Sequence, residues 1–150
     1  MSGWRPSVTV AAVVERDGRF LLVEEESNGR RVLNQPAGHL DPGESLAQAV
    51  VREALEETAH RVVPTALLGV YRWTYEPEDV TFLRFAFICR VEGVEAGRAL
   101  DTEILAAVWL SPAELAARRA EHRSPLVQQC VDDYRAGRSF PLAVLSKAYA

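Results

Sequence analysis

Residues 45–59, SLAQAVVREALEETA, form one stretch of good helix formers with no Gly or Pro, set between blocks of β-type sequence. At about 100° per residue, Glu53, Glu56, Glu57 and Arg52 fall on one side with Ala49 among them. Ala47, Val51, Ala54 and Leu55 take the other side, with Val50 at its edge. A helix of this kind has to lay an apolar arc on something, and the flanking sequence offers strands. "SVTVAAVV" (7–14) and "RFLLVEEE" (19–26), joined by "ERDG", read as a hairpin. "SNG" is a second turn leading into the short strand candidate "RVLNQP", and 38–43 is a loop rich in Gly, Pro and Asp.

Pro64 is expected to help close the helical segment. Two longer β runs follow, "TALLGVYRWTYE" and "VTFLRFAFICRVEG", separated by the turn "PED", and then a further strand candidate, "ILAAVWL". "SPAELAARRA" begins with Ser111 as N-cap, Pro112 at the first helical position and Glu114 three residues on, a capping box. "SPLVQQCVDDYRAG" repeats the Ser-Pro start and ends at Gly137. The order is ββ(β)–loop–α–ββ–β–α–α, without repeats or linkers. It predicts a single domain over 1–150 of the α/β class, a mixed sheet covered by helices on both faces.

The formal net charge of −4, with no basic stripe, argues against binding of polymeric nucleic acid. It leaves room for a small anionic substrate held through a cation. There is no signal-peptide pattern and no run approaching the roughly 20 apolar residues of a membrane span, so a cytoplasmic protein without membrane partners is expected. Cys89 and Cys130, far apart and each in an apolar segment, are expected to be reduced core residues.

Like charges four apart on a helix repel. Taken alone, a Glu-rich arc reads as a solvated face with Arg52 as its salt-bridging neighbour. The alternative is convergence on a hard divalent cation, since Mg²⁺ takes a few carboxylates together with substrate phosphates. Residues 38–58, GHLDPGESLAQAVVREALEET, decide between them: they resemble the Nudix box, which runs Gly, five residues, Glu, seven residues, Arg-Glu, an apolar residue, any residue, Glu-Glu. Gly38, Glu44, Arg52, Glu53, Ala54, Glu56 and Glu57 occupy those positions without gap or insertion. At roughly 7% usage per fixed type, six such matches arise by chance on the order of once in 10⁷ starts, so the spacing is no accident of composition. The chain leaves the pattern where a residue, Gly and an apolar residue are expected and Thr58, Ala59 and His60 stand. Alanine in place of that glycine makes the helix end uncertain by a residue or two, and His60 is expected to be a partly exposed helix-end residue.

"NQPAGHLDPGESL", "TFLRFAF" and "RSPLVQQCVDDYRAGRSFPL" extend the similarity over nearly the whole chain to the NudJ-type phosphatases of the Nudix superfamily. The resemblance implies an α/β/α sandwich with a mixed sheet and hydrolysis of phosphoanhydrides with Mg²⁺ or Mn²⁺. For the subgroup it implies release of orthophosphate from nucleoside tri- and diphosphates and from thiamine-pathway pyrophosphates. Carried onto this chain, it makes Glu53, Glu56 and Glu57 metal ligands, helped by the backbone carbonyl of Ala37. Glu53 orients or deprotonates the attacking water, with Glu56 counted among the catalytic residues, and Arg52 orients the glutamates. Gly38 and Glu44 are structural members of the motif. A later-loop acid completes the metal set; Glu103 is the choice, with Asp101 close by.

Tyr71, Trp73 and Tyr75 alternate and so share a strand face, from which Trp73 is expected to stack on a substrate ring. Arg84, interrupting an apolar strand, is expected to meet phosphate, and Asn34 and Gln35 to hydrogen-bond substrate. Two other readings stay open: a Nudix pyrophosphohydrolase for an oxidised nucleotide, a dinucleotide or ADP-ribose, and a non-catalytic binding module on the same fold. A monomer and a homodimer are equally compatible with the sequence.

Overall fold

The computed structural model describes residues 3–146; residues 1, 2 and 147–150 of the expected 1–150 domain lie outside it. The hairpin strands are β1 (Ser7–Arg16) and β2 (Arg19–Ser27), followed by β3 (Arg30–Asn34). Each turn has two central residues at positive φ, Asp17-Gly18 and Asn28-Gly29, the pairs that two-residue hairpin loops favour. A short strand, β4 (Ala37–His39), overlaps the start of the 38–43 stretch that reads as loop in the sequence. Helix α1 (Leu46–Thr58) follows, then β5 (His60–Tyr75), β6 (Val80–Val94), β7 (Ile104–Leu110), α2 (Pro112–Ala117) and α3 (Leu126–Arg135).

The seven strands form a mixed sheet in the order β3-β2-β1-β6-β5, with β4 paired to β1 and β7 to β2. The β1–β6 pair is parallel and the rest are antiparallel. Helices cover both faces. On one face Ala49, Val50 and Ala54 of α1 pack with Val10, Ala12, Val14, Leu21 and Phe87. On the other, Leu126, Val127, Cys130 and Val131 of α3 and Leu115 of α2 pack with Val13, Leu22, Leu68 and Ala86. Central β1 is therefore buried continuously from Val10 to Val14, as expected of a strand with both faces covered. Cys89 and Cys130 are free and buried, and burial pushes the Cys89 thiol up to about 12.

β1 and β2 pair only next to their turn, at Glu15–Phe20 and Arg16–Arg19. Beyond it they part, β1 continuing with β4 and β6 and β2 with β3 and β7. The sheet is thus split at the end far from the hairpin turn.

Three expectations need correction. Pro64 lies within β5 rather than closing the helix; β5 is an edge strand with register shifts on either side of this region, and an edge or bulge is where a strand tolerates a residue without N–H. Ala59 ends α1 by adopting the left-handed conformation itself, φ 60° and ψ 15°, its N–H donating to the Leu55 carbonyl. His60 is consequently the first residue of β5 rather than a helix end, and it is buried. Its Nδ1 lies 2.7 Å from the Thr58 carbonyl and its ring meets Trp109 edge-on. Finally, the packed face of α1 is Ala49, Val50, Glu53, Ala54, Glu57 and Thr58. The helix is rotated from the arc expected of it: two glutamates point inward, while Val51 and Leu55 are only partly covered.

Candidate active site

α1 starts at Ser45, whose Oγ accepts from the Gln48 N–H while the Gln48 side chain accepts from the Ser45 N–H. That reciprocal cap fixes the helix start relative to β4. Glu44 then acts as a strut: it accepts from Arg52 Nε at 2.6 Å and Nη2 at 2.9 Å, and from the Asp41 N–H at 3.0 Å. Arg52 also donates to the His39 carbonyl, Glu53 Oε2 and Glu56 Oε1, each at 3.0 Å. One guanidinium therefore ties the loop to two of the helix acids. Arg52 holds the Glu44 carboxyl below the usual carboxylate range, and Glu44 in turn raises the arginine further. A structural role for Glu44 follows directly from these contacts.

Gly38 has an equally direct reason. The Glu53 carboxylate lies against its Cα, and a Cβ there would collide with both carboxylate oxygens. Glu57 is anchored by the Ala37 N–H, which donates to its Oε1 at 2.9 Å. Both inward acids are desolvated by α1 and the split sheet. Burial pushes Glu53 up to about 7 against the pull of Arg52, and Glu57 up to about 9 against its Ala37 hydrogen bond.

These groups face a pocket of about 410 Å³ that opens where β1 and β2 part, with Thr9 on one side and Glu25 and Ser27 on the other. Ala37, Gly38, Glu53, Glu56 and Glu57 form its acidic wall. The carboxylates of Glu53, Glu56 and Asp101 bring oxygen atoms within 4.8 Å of one another. Asp101 reaches this position because its N–H donates to the Glu56 carbonyl at 3.0 Å, tying the β6–β7 loop to α1. Glu103, chosen from sequence, also lines the pocket but is not part of that triad. The nearer acid is Asp101, two residues earlier, and burial together with Glu56 and Glu103 raises its carboxyl. Only the loop path distinguishes the two. Hard oxygen donors, crowded and desolvated without enough cations among the side chains, match what Mg²⁺ or Mn²⁺ requires.

The opposite wall holds Trp73, Phe82, Arg84, Asn34, Ser124 and Leu126. Trp73 stacks on Phe82 with ring centroids 5.8 Å apart and an interplanar angle of 17°. Arg84 donates to Asn34 Oδ1 at 3.0 Å and Gln35 Oε1 at 2.9 Å. Gln35 must be corrected: it is 2% exposed, does not line the pocket, and its Nε2 donates to the Val127 carbonyl at 2.9 Å. Both ends of its amide are occupied by protein, so it supports Arg84 from behind.

The chain matches the NUDIX domain model over residues 3–130. It is 37% identical over 142 residues to the phosphatase NudJ of Shigella boydii serotype 4 (strain Sb227), covering 95% of this chain and 92% of that protein. Identity to the phosphatase NudJ of Escherichia coli (strain K12) is likewise 37% over the same coverage. Among solved structures, a NUDIX hydrolase from Nitrosomonas europaea superposes with a TM-score of 0.93 at 51% identity, covering 95% of this chain and 97% of that one.

Proposed function

The chain belongs to the Nudix hydrolase family and is a hydrolase of pyrophosphate bonds, and from that premise we propose a single-domain cytoplasmic enzyme that releases orthophosphate from small nucleoside tri- and diphosphates and thiamine-type diphosphates with Mg²⁺, or Mn²⁺, as cofactor. The observation that carries the reading is the convergence of Glu53, Glu56 and Asp101 beside the buried Glu57 in a pocket with a guanidinium opposite. The proposed metal ligands are Glu53, Glu56, Glu57, the Ala37 carbonyl and Asp101, with Glu103 beside them. When bound, a divalent ion neutralises phosphate charge and lowers the pKa of coordinated water.

The residues of the chain supply the rest. Glu53 is proposed to orient or deprotonate the attacking water. It faces the pocket beside Glu56 and Asp101, and for a general base position comes before pKa. Arg52 holds Glu53 and Glu56 in place from behind the acidic wall and does not itself line the pocket, so it is a positioning residue. In-line placement and charge neutralisation are what phosphoryl transfer demands of a protein; in this reading the bound ion would supply the neutralisation and Glu53 the placement of the water. Among the described residues no helix is long and apolar enough to cross a membrane.

The test is a screen of purified protein with Mg²⁺ against GTP, GDP, thiamine diphosphate, ADP-ribose and a dinucleotide polyphosphate, separating phosphate from pyrophosphate. Metal-dependent orthophosphate from GTP or GDP supports the reading. Pyrophosphate with a monophosphate, or turnover of ADP-ribose or the dinucleotide alone, replaces it with a Nudix pyrophosphohydrolase. No turnover of any of them removes these substrates and leaves a Nudix hydrolase for another phosphoanhydride, such as an oxidised nucleotide.

A further inference from the structure

Arg84 is 5% exposed, and its partners among the described residues are all neutral: Asn34 Oδ1, Gln35 Oε1 and, at 3.7 Å, Cys130 Sγ. Among the described residues no carboxylate lies within 4.0 Å of its guanidinium. Neutral acceptors orient a guanidinium without cancelling its charge, and a buried unpaired charge is costly. The acids across the pocket do not remove the problem, because the metal that they fit would claim their charge.

The neighbours of Arg84 offer donors to the pocket. Arginine only donates, so its contact fixes the Asn34 carbonyl toward the guanidinium and leaves the Asn34 amide N–H groups for the pocket that Asn34 lines. Ser124 Oγ accepts from the Leu126 N–H at 3.1 Å, which leaves its own O–H to donate. Arg84 and Phe82 are two apart on β6, and Phe82 is paired with Trp73 on β5, so cation and stacked rings share one sheet face. α1 packs on the other face.

We propose that Arg84, with the amide of Asn34, forms a phosphoryl-recognition subsite distinct from the carboxylate cluster, and that it takes a phosphoryl group of the substrate other than the one held at the metal ligands. The proposal rests on the proposed function for the identity of the substrate, and it adds a requirement: a productive substrate carries anionic phosphate beyond the group at the metal. The Trp73–Phe82 stack beside it suits a planar ring carried by the same molecule.

Isothermal titration of inorganic pyrophosphate into the protein in EDTA tests the subsite without metal or turnover. Wild type binds saturably. E53Q, one negative charge poorer, binds at least as tightly. R84Q binds roughly tenfold weaker or worse, the size of a lost charge-assisted hydrogen bond, and R84K falls between because it keeps the charge and loses the fork. Circular dichroism and melting check that R84Q folds. If it does not, N34A, which leaves the guanidinium in place, is expected to bind several-fold weaker. In the presence of Mg²⁺ the R84K loss falls on KM for GDP more than on kcat. Equal pyrophosphate affinity in wild type, R84K and N34A, or no saturable binding by wild type, overturns the proposal. Arg84-dependent pyrophosphate binding in a protein that releases no phosphate would instead sink the proposed function and leave the subsite standing.

Discussion

Arg52 has carboxylates at Asp41, Glu44, Glu53 and Glu56 within 4.0 Å, whereas the more deeply buried Arg84 has none among the described residues and is gripped by two amides and a thiol. The contrast separates two uses of one residue type. A guanidinium saturated with acids is a brace: it holds charges that would otherwise push each other apart, and it stays out of the pocket. A guanidinium held by neutral groups is oriented with its charge unanswered, which is how a receptor for an anion is built. The electrostatics differ accordingly, because the acidic wall presents carboxylates suited to a cation and the opposite wall a guanidinium suited to an anion.

Breaking the acidic wall should have the largest effect. E53Q keeps shape and fold, and turnover should drop about 10²–10⁴-fold, the usual worth of a positioned base. Unchanged phosphate release would remove Glu53 from its role. G38A tests the same wall without touching a charge. The added Cβ must displace the Glu53 carboxylate, and a shift of about 1 Å in a catalytic group can lower activity about 10²-fold. Activity near wild type in G38A would show that the carboxylate has room the structure does not provide.

A pH series sharpens the contrast by reading the buried acids of that wall directly. Burial places Glu53 at about 7 and Glu57 at about 9 in the folded protein, against about 4.3 in the unfolded chain. Both folded values are raised, so the folded state holds protons that the unfolded state has released. The associated stability is fully present below about pH 4 and is lost as pH rises through 7 and then 9. In EDTA the melting temperature should therefore fall between about pH 5 and 9. Mg²⁺ should oppose the fall by binding the ionised acids, and E57Q, whose amide oxygen can still accept from Ala37, should flatten it. A melting temperature that rises with pH in EDTA would contradict the assignment. The smallest effect belongs to a position outside both walls. A59G relieves a left-handed alanine and should stabilise the fold by about 0.5–1 kcal/mol, the strain removed less the added chain entropy, with activity kept. Loss of stability in denaturant titration would show that the Ala59 side chain matters for packing.

Much of the site was legible because the Nudix box is contiguous. Gly38, Glu44, Arg52, Glu53, Glu56 and Glu57 are linked by a helix and a short loop, so spacing alone brings them together. Asp101 was not legible over Glu103, since the choice depends on how the β6–β7 loop is pinned to the Glu56 carbonyl. The support role of Gln35 was hidden for the same reason: its partners, Arg84 and Val127, are far away in sequence. In the fold, β7 and the α2 cap match the reading of residues 104–117, whereas β4 and the first residues of β5 did not show because short or Pro-containing strands carry little periodic signal.

By itself, the sequence determined the family, the α/β/α class and the identity of the acids that crowd α1, because these rest on residue types at fixed local spacing. Tertiary structure alone decided which way that helix faces. A helical wheel ranks side chains by polarity, and polarity sends glutamates to water. Here the parting of β1 and β2 and the Ala37 N–H turn Glu53 and Glu57 inward. Tertiary structure also decided that Arg84 has no acid beside it among the described residues, for the absence of a counter-charge is a property of everything packed around a residue and of nothing adjacent to it in the chain.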